Sequence, residues 1–140
     1  EHHRPLERNA RVATRLAAAS AEAEANLCLG RLEWARIVLE RVAAIKGQER
    51  HPGLGAMRGR LAYLRGDAEG GLRMLEAVLS AGEWPVKGAV RARNHVWHAD
   101  ALRTLGQAEQ ARQSYRVAIK SAPQSFWGLQ AKRSLALLVT

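Results

Sequence analysis

The sequence predicts an all-α fold made by stacking helix hairpins, and two observations carry that prediction. The first is a repeat centred on Gly30, Gly66 and Gly106. Each glycine is followed at +3 by Glu33, Glu69 or Glu109 and at +5 by a small residue, Ala35, Gly71 or Ala111. A larger residue follows at +9 (Leu39, Leu75, Tyr115) and an apolar one at +12 (Val42, Val78, Ala118). Seven residues before each glycine stands another small residue, Ala23, Gly59 or Ala99. The second observation is that apolar and small positions recur at three and four, as from Leu54 to Leu64, without the alternation of a strand. The glycines lie 36 and 40 residues apart, a period that marks stacked supersecondary units.

Each element follows from these spacings. Leu6, Ala10, Ala13 and Leu16 mark an opening helix, either continuous with the first repeat or left over from a preceding unit. Three hairpins are expected at about 16–47, 52–82 and 89–123. In each, the glycine ends the first helix, because only glycine enters the left-handed capping conformation without cost. The offsets +5, +9 and +12 then fall on one face of a second helix. Small residues at −7 and +5 let the two helices approach closely, and the residues at +9 and +12 fill space toward the neighbouring hairpin. Longer loops are expected at 47–52 and 82–88. Pro123-Gln124-Ser125 starts a last helix, about 124–138, with Trp127, Ala131 and Leu135 spaced at four; it is placed as a cap on the third hairpin.

This pattern resembles the tetratricopeptide repeat family. The third copy matches best, with Ala99, Gly106, Ala111, Tyr115, Ala118 and Pro123 at the family's signature positions. The first copy departs at Val42, the second at Gly71 and Val78, and Trp84-Pro85 lies beyond the expected proline. Both spacings exceed the family's usual period of about 34 residues, so the repeats are similar to the degenerate ones of bacterial regulators and assembly proteins. The resemblance implies a right-handed α-solenoid of about three hairpins and a capping helix, about seven helices, with one concave and one convex face. Its groove-lining positions would be Glu24, Leu27 and Cys28, then Met57, Arg60, Tyr63 and Leu64. Arg93, Val96, Trp97, Asp100, Arg103 and Thr104 follow, with Lys132 from the last helix. That surface is net basic with aromatic contact area, which suits a protein or acidic peptide partner. The family's carboxylate clamp is not expected, since Asn26 and Asn94 fall outside its positions.

Composition sets the outer limits. With 140 residues, 47% hydrophobic and 25% charged, the chain has the make-up of one globular domain. It opens on Glu1, which points to a piece of a longer protein, and His2-His3 fits a tag remnant as well as native sequence. The longest clean apolar run is Leu135 to Val139, too short for a bilayer, so no membrane role is expected. A lone Cys28 makes no internal disulfide, which favours a reducing, cytoplasmic setting. The net charge is +9, but the basic residues are scattered from Arg4 to Arg133, so nucleic acid is an unlikely partner on pattern. The aromatic residues, at 5%, are also too dispersed for base stacking.

No catalytic constellation is legible. His95 and His98 are three apart but lack a third metal ligand in the sequence, so neither metal nor cofactor is expected. Gly53-x-Gly55-x-x-x-Gly59 follows a helix end and a loop rather than a strand, so it is not a phosphate cradle. Cys28 has no adjacent histidine, and Ser114, Ser121 and Ser125 show no nucleophile-and-base spacing. The expected function is a non-enzymatic interaction scaffold. The alternatives are a ligand-sensing or regulatory segment of a larger bacterial transcription activator or signalling ATPase, and a basic nucleic-acid-binding module.

Overall fold

A computed structural model describes residues 4–45, 47–48, 51–81 and 88–138. His2-His3, Trp84-Pro85 and most of the loop expected at 82–88 lie outside the described residues, as does part of the connection at 47–52. Among the described residues the protein is all-helical, with seven helices and no strand. They are α1 (Arg4–Cys28), α2 (Leu32–Ala43), α3 (Pro52–Leu64), α4 (Ala68–Ala81), α5 (Gly88–Thr104), α6 (Ala108–Ser121) and α7 (Phe126–Leu138). The opening helix and the first helix of the first repeat are one continuous α1. From Glu7 to Arg15 every residue but Val12 is exposed, and α1 joins the core only from Leu16 onward.

The three repeat glycines end α1, α3 and α5 in the same way. Gly30, Gly66 and Gly106 have φ of 72°, 94° and 80°. The amide following each glycine reaches back across the turn: Arg31 N to Asn26 O at 2.8 Å, Asp67 N to Ala62 O at 2.9 Å, Gln107 N to Leu102 O at 2.9 Å. Each glycine N–H also bonds a carbonyl three residues back, Leu27, Tyr63 or Arg103. This double bond pattern satisfies carbonyls that the helix end would otherwise orphan, and it turns the chain directly into the next helix. Helix starts are set by different side chains. Asp67 Oδ1 accepts from Gly70 N at 2.8 Å, Ser125 Oγ from Gly128 N at 3.0 Å, and His51 Nδ1 from Gly53 N at 3.0 Å ahead of Pro52.

Small residues bring the paired helices together. Ala23, Ala35, Ala99 and Ala111 are all fully buried. In the second hairpin both positions are glycine, and a Cβ on Gly71 would stand 2.7 Å from the Gly59 carbonyl oxygen. The residues at +9 do more than fill space toward the next hairpin. Leu75 packs over Gly59 of its own hairpin, and Tyr115 reaches back to Asp100 of its own α5. A helix pair this close leaves its own first helix as the nearest surface for a long side chain.

Helices pack in a regular sequence. Every helix contacts the next along the chain, and α1 also touches α3, α3 touches α5, and α5 touches α7. Among the described residues the even-numbered helices α2, α4 and α6 do not contact one another. Helix α5 is the hub, packed on α3, α4, α6 and α7, and its Trp97, Val96 and Leu102 are almost fully buried.

Candidate functional site

The row of odd-numbered helices carries a polar network that links three hairpins. From α1, Glu24 Oε1 accepts from Arg93 Nη1 of α5 at 2.8 Å. From α3, Arg60 Nη1 donates to Asp100 Oδ2 of α5 at 2.9 Å. Asp100 Oδ1 accepts from the Tyr115 hydroxyl of α6 at 2.5 Å, and Arg103 lies 3.8 Å from the same oxygen. At the edge of the network the Tyr63 and Thr104 hydroxyls share a hydrogen bond at 3.0 Å. Helix geometry aligns these donors, because Arg93, Trp97 and Asp100 recur at four and three along α5 and Arg60 and Tyr63 at three along α3.

Aromatic rings floor the network. The Arg93 guanidinium sits 4.6 Å from the Trp97 ring centroid, and that of Arg60 lies 5.7 Å from Trp97 and 4.9 Å from Tyr63. Trp127 of α7 meets Trp97 edge to face at 5.7 Å. Stacking over a ring face stabilises a guanidinium that has lost water, which is the state of Arg93. Arg93 also donates through Nε and Nη2 to Asn94 Oδ1, at 3.1 and 3.0 Å.

The expected groove residues therefore divide. Arg60, Tyr63, Arg93, Trp97, Asp100 and Arg103 come together. Met57, Arg93 and Trp97, however, are only 2%, 4% and 1% exposed. The expectation that Met57 and Trp97 offer contact area to a partner, and Arg93 an open charge, is corrected by that burial. Arg93 and Trp97 lie on α5, which is covered on several sides at once, and Met57 is buried on α3; these side chains complete the fold. Lys132 is engaged elsewhere, donating to the Pro123 carbonyl at 3.2 Å in the α6–α7 turn. Exposed Cys28 lies within the field of Glu24, Arg60 and Arg93; partial burial first, then Glu24, raises its thiol pKa, with the two arginines opposing. Tyr115 is shifted upward too, mainly by burial and then by Asp100.

A second polar cluster joins α4, α5 and α6. His98 Nδ1 and Ser114 Oγ share a hydrogen bond at 2.5 Å, and His98 Nε2 is 3.4 Å from Glu76 Oε2. Spacing along the chain shows no such arrangement, since its members are 22 and 16 residues apart. A nucleophilic serine needs N–H groups aimed at an oxyanion. Ser114 lies inside α6 and is buried, where the helix uses its own N–H groups, so the cluster reads as a tie between helices. Beside it His95 is lowered to about 4 by burial, then by Arg91 and His98, and its Nδ1 is buried without a hydrogen-bond partner. Among the described residues no group of three or more His, Cys, Asp or Glu could hold a metal ion, and no helix is long and apolar enough to cross a membrane. A separate open groove of about 410 Å³ runs between α3 and α4, lined by Pro52, Gly55, Arg58, Met74 and Val78 among others.

No family model matches this chain, and no curated protein matches it either.

Proposed function

We propose that this protein is a non-enzymatic interaction scaffold of tetratricopeptide type, a right-handed α-solenoid whose first helices line a concave groove that holds an acidic peptide or a partner's helix. The observation that carries this reading is the packing order: α1, α3, α5 and α7 touch in series while α2, α4 and α6 do not touch one another. Such a stack bends toward its odd-numbered helices, and one helix per hairpin then contributes to a continuous inner surface. Charge supports the choice of partner. Within the network Glu24 and Asp100 face Arg60, Arg93 and Arg103, so one positive charge is in surplus. Arg103 is the most exposed of the three arginines, at 38% of its side chain. Half-buried Tyr63 and exposed Thr104 stand near it on the same row. The setting proposed is the reducing cytoplasm, where the exposed Cys28 thiol stays reduced and its raised pKa keeps it mostly protonated.

Peptide display against the immobilised protein tests the reading. Acidic peptides should be enriched, and a Tyr63→Ala/Arg103→Glu variant should bind them at least about tenfold more weakly. Unchanged affinity in the folded variant overturns the groove assignment. Arg93→Glu is unsuitable for this purpose, because it would set a buried carboxylate against the carboxylate of Glu24.

A further inference from the structure

The last of the described helices has two apolar faces, one buried and one largely exposed. Gly128, Ala131 and Ser134 are buried, with Trp127, Leu135 and Leu138 packed beside them. On the opposite side Phe126 is 66% and Leu129 is 51% exposed. A helix apolar on both sides is ordinarily covered on both. Among the described residues, α7 touches α5 and α6 and no other helix.

The charges on α7 itself have one sign: Lys132 and Arg133 are exposed. No Asp or Glu follows Glu109 in the sequence, and Glu109 is paired with Arg112 at 3.0 Å. We infer that the outer face of α7 is a second docking surface, distinct from the odd-helix groove, and that its occupant is an acidic amphipathic helix supplied by another protein. An apolar stripe on that helix would cover Phe126 and Leu129, while flanking Glu or Asp side chains would meet Arg133 and the Lys132 donors that its bond to the Pro123 carbonyl leaves over. Helix on helix is the contact this protein makes at each of its other interfaces, and α7 at about 20 Å offers a matching length. A second copy of the chain fits poorly, because pairing α7 with α7 brings four cations into one interface.

The test uses defined labelled peptides of about five helical turns, read by fluorescence anisotropy. One carries leucine at helical spacing with glutamate elsewhere, one has lysine in place of glutamate, and one shuffles the leucine/glutamate sequence to destroy the stripe. Binding is read in the Tyr63→Ala/Arg103→Glu background, which silences the groove, and there the leucine/glutamate helix should still bind. In that background Phe126→Ser/Leu129→Ser and, separately, Lys132→Glu/Arg133→Glu should each weaken it at least about tenfold. All four positions in these two α7 variants are exposed, and the charge variant keeps the test valid should the first unfold. Equal binding of the acidic and basic helices, equal binding of the shuffled peptide, or indifference to both α7 variants overturns the inference. So does self-association in sedimentation that Phe126→Ser/Leu129→Ser abolishes without any peptide binding, or binding to anionic phosphatidylserine vesicles in place of the peptide. Loss of peptide binding to the groove would leave this result standing, since the two surfaces are read by different variants.

Discussion

Single atoms decide the hairpins. At Gly106 a Cβ would meet no atom within 4 Å, yet φ is 80°, so the cost of a side chain there is backbone strain alone. Gly106→Ala should lower unfolding free energy by about 1 kcal/mol, read from urea midpoints, and Gly106→Asn should lose less. At Gly71 the conformation is ordinary, but the Gly59 carbonyl blocks a Cβ. Gly71→Ala should therefore cost more, about 2–3 kcal/mol, because backbone has to move. The identical +5 position is alanine in the other two hairpins, where the partner at −7 is alanine as well. In the second hairpin glycine stands at both sites, and a Cβ at Gly71 has no room beside the Gly59 carbonyl.

Element α5 shows how far periodicity reaches and where it stops. Three- and four-residue spacing is enough to predict that it is a helix and that Arg93, Trp97 and Asp100 share a side. It does not tell that this side is covered, since burial depends on α1, α3, α6 and α7 arriving together. The same limit hid the contact of His98 with Ser114 and Glu76. His95 belongs to this element and yields a pH prediction. Its pKa is depressed from about 6.5 to about 4 by burial, so the folded protein refuses a proton that the unfolded chain accepts. Stability is then fully present above about 6.5 and declines as pH falls toward about 4. Urea midpoints at pH 7 and pH 5 should differ less in His95→Leu than in the wild type; an equal difference would remove His95 as the cause.

Across the whole molecule, the Glu24 to Arg93 ion pair joins residues 69 apart and ties α1 to α5 over α3. Arg93 is almost buried, so removing its partner leaves a charge that water cannot reach. Glu24→Gln should cost about 2 kcal/mol, less than a fully buried pair because Glu24 itself is partly exposed. Amide exchange in α1 should speed up more than in α6, since α1 loses its hydrogen-bonded ion pair with α5. Uniform acceleration along the chain would mean that the pair stabilises the fold without coupling its ends. The same pairing leaves one uncompensated arginine in the odd-helix network of a chain whose net charge is +9.

By itself the sequence determined what is local. Glycine offsets, helical spacing and caps are set by residues within about one turn of each other, so the seven helices and their hairpin pairing were legible before any coordinates. Only the tertiary structure decided which of the expected groove residues remain at the surface. Met57, Arg93 and Trp97 are as suited to a binding face as Tyr63 and Arg103; what separates them is the approach of helices far away in the chain. The two-sided apolar character of α7 was likewise written in Phe126, Leu129 and Leu135, yet which side the stack would cover depended on how α5 and α6 meet it.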